Sequence, residues 1–397
     1  MGLFGPDDTL IGLLGHTDNS QEPMPNINRR ETIFGLIISF MVLSYLCVAF
    51  RLWTRFAIVK SAGWDDLFVV LSLMSITPGM VTLCIICDSG FGRHFITLTP
   101  DEMAGYFRGI YIANASYTMS TGLIKMSLLL QYLRMYTRGT FLYNVCRSLL
   151  VFVGLWGAAY SALAWVPCSP VHLFWDRAYA PFEMLTMNCY AYGSMKVSVF
   201  TATYESHAAV NMLLDLLVMA LPIPLYFQPN TPFKSKLGLV MVVLMGTVVN
   251  IFSVWRFATM LQHRSTTWPT FDPTWYGPIS IVMAALEIAS ACICASIPVF
   301  WGSIMAATSQ FLGQIFVTKE VHVTSQHRFD TLGSSGAGHS SQDAFHAVEL
   351  QGATLSRETS DEERGENITR TKIEWTARTQ EAPPTPKFYE LWAGKTG

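Results

Sequence analysis

The stretch from Leu67 to Ile86 contains no charged residue, and apolar runs of similar length recur from residue 32 to residue 297. An apolar run of about 20 residues crosses a hydrocarbon core of about 30 Å as a helix. A lone segment in lipid must also satisfy its backbone hydrogen bonds internally. Seven spans can be read: Thr32 to Leu52, Leu67 to Ile86, Tyr106 to Leu133, Leu149 to Val166, Ser206 to Phe227, Leu237 to Leu261 and Tyr276 to Ile297. The alternation of barrel strands is missing. The expected fold is therefore an all-α membrane protein, a seven transmembrane helix bundle. Only 14% of the residues are charged, against about a quarter in a soluble domain. Charge is densest after Lys319. The expected organisation is an extracellular segment over 1–30, a membrane domain over 31–316 and a disordered cytoplasmic tail over 317–397.

Orientation follows from the basic residues of the short loops. Arg51, Arg55, Lys60, Arg134, Arg138, Arg147, Lys234 and Lys236 fall on one side, and Arg93, Arg177, Lys196 and Arg264 on the other. This places the N-terminus outside and the C-terminus in the cytoplasm, although Arg29 and Arg30 oppose the assignment. Between the first two spans stands Gly63-Trp64-Asp65-Asp66. Asp65 and Asp66 are expected to pair with Arg51, Arg55 or Arg134 and hold the cytoplasmic face together, with Trp64 anchoring its helix at the interface. Pro298 to Phe316 reads as a separate short interfacial helix. In the tail, Ser360 before Asp361-Glu362-Glu363 and Thr385 before Pro386 resemble kinase target contexts.

Charges inside spans are costly and call for a reason. Lys125, Asp215 and Glu287 lie well inside spans, while Arg108 and Arg256 lie near span ends, from which they could snorkel to water. Asn211 precedes Asp215 by four residues and shares its helical face. Two readings stand side by side. One is a buried polar network that locks helix packing. The other is a polar cavity binding a ligand or moving a proton, lined by Lys125, Asn211, Asp215, Arg256 and Glu287. Asp215 and Glu287 are the candidate acid catalysts, because a carboxyl group in apolar surroundings favours its neutral, proton-donating form.

Cys168 and Cys189 flank one outer loop, and an oxidising face permits a bridge between them. Cys87 is a competing partner, and two free thiols are the remaining alternative. Gly90-Phe91-Gly92-Arg93-His94 forms a tight outer turn, whose Arg93 and His94 read as a solvated loop or as contacts to an external ligand. Metal-ligand spacings, phosphate loops and nucleophile elbows are missing, so no metal, cofactor or nucleic acid is expected.

These residues together resemble a known family. Arg51, Arg55 and Gly63-Trp64-Asp65-Asp66, then Gly90 to His94, then Lys125-Met126-Ser127-Leu128-Leu129-Leu130-Gln131-Tyr132-Leu133-Arg134 look like its signatures. Cys168-Ser169-Pro170, Phe174-Trp175-Asp176 and Cys189 are similar to its outer loop. Asn211, Asp215, Leu221-Pro222-Ile223-Pro224, Arg256, Trp275 and Glu287 continue the match. The family is the fungal rhodopsin-domain family of seven-span integral membrane proteins, named also after the satratoxin-cluster membrane protein. The resemblance covers roughly residues 30 to 310.

The resemblance implies a receptor-like sensor with a G protein as partner, and the kinase-like contexts of the tail add a kinase acting there. The alternative it implies is an intramembrane enzyme or accessory factor in a secondary-metabolite pathway. Either role brings a lipid bilayer, a small lipophilic ligand or substrate, and a multi-pass location in the plasma membrane or an endomembrane. Retinal chemistry is not implied, because span seven contains Glu287 and no lysine.

Overall fold

Residues 9–15, 17–176, 188–227 and 233–315 are described by a computed structural model, with 233–235 and 302–315 at the level of the backbone. The tail expected to be disordered, its kinase-like contexts and Arg177 lie outside the described residues. Among the described residues there are no strands beyond two isolated bridges, Thr9 with Lys196 and Cys168 with Cys189. The long elements are α1 (Arg30–Trp53), α2 (Trp64–Ile85), α3 (Pro100–Met135), α4 (Phe141–Trp165), α5 (Val197–Ala220), α6 (Phe233–Gln262) and α7 (Pro273–Ile315). A π-helical turn, Thr54–Val59, extends α1.

Six of these helices are long and apolar enough to cross a membrane. The exception is α3, and its surroundings explain why. It packs against α2, α4, α5 and α7, so it has little lipid-facing surface to make apolar. Ser116, Thr118, Ser120, Thr121, Lys125, Ser127 and Gln131 are all buried along it. Its neighbours approach closely through small residues, the usual device for helices in lipid. Ser72 and Ser120 exchange hydrogen bonds to each other's carbonyls at 3.1 and 3.2 Å across α2 and α3. Gly122 and Gly157 bring the α3 and α4 backbones together, so that a Cβ on Gly122 would lie 3.2 Å from the Gly157 Cα.

Four elements differ from the sequence reading, among them α4, which starts at Phe141 rather than Leu149. Helix α3 starts at Pro100, where the Thr99 hydroxyl and the Glu102 carboxylate cap each other's backbone N–H groups at 3.3 and 2.8 Å. Helix α5 starts at Val197, a full two turns before the expected Ser206. The stretch expected to form a separate interfacial helix belongs to α7 as far as Ile315, since α7 runs on through Pro298. A proline in a helix removes one donor and frees a carbonyl. Here a neighbouring helix supplies a donor in the same turn, with Arg51 Nη1 bonded to the Ala295 carbonyl.

Residues 9–28 are also more than a leader. Leu10 N donates to the Met195 carbonyl at 3.0 Å, and Phe271 N and Thr270 Oγ1 donate to the Leu13 carbonyl at 3.2 and 2.8 Å. Glu22 accepts from Trp275 Nε1 and the Tyr276 hydroxyl at 3.0 and 2.8 Å. The segment forms a strap across the end of the bundle that carries Cys168 and Cys189.

Candidate functional site

Four helices contribute to one buried polar network. Lys125 on α3 lies 2.6 Å from Asp215 Oδ1 and donates to Asn211 Oδ1 at 2.8 Å, both on α5. Asn211 Nδ2 lies 2.8 Å from Glu287 Oε1 on α7, 3.2 Å from Asp215 Oδ2 and 3.3 Å from Ser253 Oγ on α6. Arg256 Nε, also on α6, donates to Glu287 Oε2 at 3.2 Å. The Tyr117 hydroxyl donates to Glu287 Oε1 at 3.3 Å, and the Arg256 guanidinium lies over the Tyr117 ring, 5.0 Å from its centre.

The helical repeat makes this convergence possible. Tyr117 and Lys125 stand eight residues apart on α3, as do His207 and Asp215 on α5, with Asn211 between the latter two. Spacings of four put each set on one face. All five expected ligand-binding residues, Lys125, Asn211, Asp215, Arg256 and Glu287, thus belong to one cluster. Two expectations about them change. Arg256 does not snorkel, being 3% exposed and bound to Glu287. Glu287 does not sit in apolar surroundings, since a guanidinium, a carboxamide and a phenol face it.

The network separates two cavities. Toward the strap lies a cavity of about 130 Å³ walled by Tyr106, Phe107, Phe174, Tyr192 and Phe271, with Arg256, His207 and Tyr117 among its lining residues. Leu10 of the strap also lines it and is 1% exposed. Toward the Asp65 end lies a smaller one of about 30 Å³, beside Lys125, Asp215 and Asn250. Reasoning from sequence missed Tyr117, His207 and Ser253. The first two share a face with residues already singled out, which was the available signal.

At the other end of the bundle the signature residues form a second ionic cluster. Arg51 Nη2 and Nε lie 2.6 and 2.8 Å from Asp65 and Asp66, Arg55 Nη2 lies 3.2 Å from Asp65, and Arg134 Nη1 lies 2.6 Å from Asp65. This joins α1, α2 and α3. Gly63 caps α2, its N–H donating to the Asp66 carboxylate at 3.0 Å. A Cβ there would overlap Arg134 Nη1 and Asp65 Oδ1, so only glycine leaves the arginine its path. Trp64 is 72% exposed at the start of the helix. Arg108 lies outside both clusters, with its guanidinium over the Trp175 ring.

On the strap face, Cys168 and Cys189 are joined by a disulfide and Cys87 is a free thiol. His94 is not a solvated loop residue. It stacks on Trp275 with ring centres 3.8 Å apart and lies 2.9 Å from Asp272 Oδ2. Arg93 does face solvent, paired with Glu102 at 3.0 Å. Asp272 was overlooked, although Asp272-Pro273 is a recognisable helix start. Its Oδ1 accepts from Trp275 N at 3.2 Å and from Phe95 N at 2.9 Å.

Comparison with known proteins adds to this geometry. The profile described as fungal rhodopsin domain matches residues 50–306. A SAT4 family membrane protein of Emericella nidulans is 26% identical over 233 residues, which cover 56% of this chain and 52% of that protein. The polyenoic acids biosynthesis gene cluster protein Ba17b of Metarhizium anisopliae is 23% identical over 251 residues, covering 59% and 64%. Receptor GIN3 of Arthrobotrys oligospora is 25% identical over 347 residues, covering 86% and 77%. The chain therefore spans 52% and 64% of the length of the first two relatives.

Proposed function

The chain belongs to the fungal rhodopsin-domain family of multi-pass membrane proteins, and on that premise we propose that it is a receptor-like sensor, without retinal, of a small lipophilic molecule. The carrying observation is the strap-covered aromatic cavity bordered by a polar network that ties α3, α5, α6 and α7. A molecule resting there bears on all four helices at once. It shifts their arrangement by as much as it binds one arrangement better than another. Similarity to Receptor GIN3 across most of both chains supports the reading. So does the state of the two carboxylates, because Lys125 holds Asp215 and Arg256 holds Glu287 rather than leaving either as an unpaired acid.

In this reading α3 is the seventh crossing, with the strap and disulfide outside. The Asp65 cluster and the tail then face the cytoplasm, where a G protein or a kinase would act. The second reading, an accessory factor or enzyme in metabolite biosynthesis, draws on the Metarhizium anisopliae relative named for a biosynthesis gene cluster.

Thermal unfolding of the full chain in lipid nanodiscs, titrated with lipophilic fractions from cultures of its own strain, separates the two. A sensor ligand at 100 times its dissociation constant stabilises by about 2.7 kcal/mol, and deletion of the gene leaves the metabolite inventory chemically complete. A deletion strain that lacks one product and accumulates its precursor, with no stabilising fraction found, overturns the sensor reading.

A further inference from the structure

The strap-side cavity specifies more than lipophilicity. Four polar atoms on its lining residues, Arg256 Nη2, His207 Nε2, Tyr192 Oη and Ser265 Oγ, are buried and have no hydrogen-bond partner among the described residues. Arg256 and His207 are each 3% exposed and Tyr192 2%. The remainder of the guanidinium is engaged, with Nε donating to Glu287 at 3.2 Å and Nη1 facing the Met260 sulfur at 3.8 Å. An unpartnered buried polar group is costly, and a ligand oxygen placed against a donor removes that cost.

The charge of the network decides what kind of oxygen. Lys125 and Arg256 bring two cations, and Asp215 and Glu287 bring two anions, each paired across helices. The cluster is already neutral. A carboxylate entering beside Arg256 would leave one uncompensated anion in a dry interior, where an unpaired charge is far more costly than an unpaired dipole. A carbonyl oxygen accepts from Arg256 Nη2 at no such cost. The remaining walls are mostly aromatic and aliphatic, and the volume of about 130 Å³ is close to the roughly 150 Å³ of an apolar cavity that admits benzene.

We propose that this cavity takes a neutral, ring-bearing lipophile seated by a carbonyl oxygen on Arg256 Nη2, and that it discriminates against the corresponding carboxylic acid. The proposal rests on the sensor reading of the same cavity and names its ligand class.

The test uses the full chain in nanodiscs and three probes of nearly one size: acetophenone with a ¹³C-labelled carbonyl, ethylbenzene, and benzoate at neutral pH. Acetophenone is expected to bind at least about tenfold more tightly than either, and its bound carbonyl resonance to move downfield of its position in hydrocarbon. The paired replacement Arg256→Gln with Glu287→Gln keeps the cluster neutral and is expected to erase the preference over ethylbenzene. Ala284→Phe, which fills the cavity one turn of α7 from Glu287 without altering a network side chain, is expected to abolish binding of every probe. Equal binding of all three, or tightest binding of benzoate, overturns the ligand class while the cavity stands. An unshifted carbonyl resonance in the unaltered protein overturns it without any variant. If no probe binds, or if Ala284→Phe leaves binding unchanged, the cavity is no ligand site, and the sensor reading fails with the proposal.

Discussion

Lys125 reaches Asp215 from a different helix, and both are buried. Removing one partner of such a pair strands the other, at a cost of about 3–5 kcal/mol, whereas replacing both with apolar residues is often near neutral. Lys125→Met alone should therefore lower the unfolding free energy in mixed micelles by about that amount, and adding Asp215→Leu should recover most of it. Recovery by the double variant separates a buried pair from mere loss of packing. The charged members of the Lys125 network were legible because a charge inside an apolar run stands out, and those of the Asp65 cluster because acidic and basic residues meet at one end of the spans. Arg256 was misjudged because distance from the end of a run was equated with depth. Helix α6 packs extensively along α7, and Glu287 there holds the guanidinium inside. His207 and Tyr117 gave no such alarm, since a histidine or tyrosine in a span is not conspicuous by composition. Only the spacing of four pointed to them.

At the scale of elements, local chemistry settled what hydropathy did not. Thr99-Pro100-Asp101-Glu102 starts α3, with a reciprocal cap and a proline where its missing N–H costs nothing. An apolarity search begins that helix too late because its first turns lie among the strap-side loops. Thr99→Ala should destabilise the start of α3 by about 1 kcal/mol. Amide exchange in the first turn should speed accordingly, with the Lys125 region unaffected. The bundle itself was legible in the recurring apolar runs. The continuity of α7 was not, because whether a helix runs on through Pro298 is set by what packs around it, and the neighbouring α1, whose Arg51 bonds to the Ala295 carbonyl, is distant in sequence.

For the molecule as a whole, the strap decides how the larger cavity meets its surroundings. Nothing in the first thirty residues announced this, because much of its hold is by backbone groups, such as Leu10 N on Met195 and Phe271 N on Leu13. A chain with residues 1–24 deleted should keep its bundle but exchange a bound probe faster in both directions, which stopped-flow mixing in nanodiscs measures. Unchanged rates would mean that entry is from the lipid side. The paired charges have a consequence for descent as well. A line of inheritance that loses Lys125 alone passes through a crippled intermediate, and so does one that loses Glu287 alone. Positions 125 and 215 should therefore change together across relatives, as should 256 and 287, while the aromatic walls drift one residue at a time. The network would then record which relatives still share a ligand, even where overall identity has fallen to the 23% seen with the Metarhizium anisopliae protein.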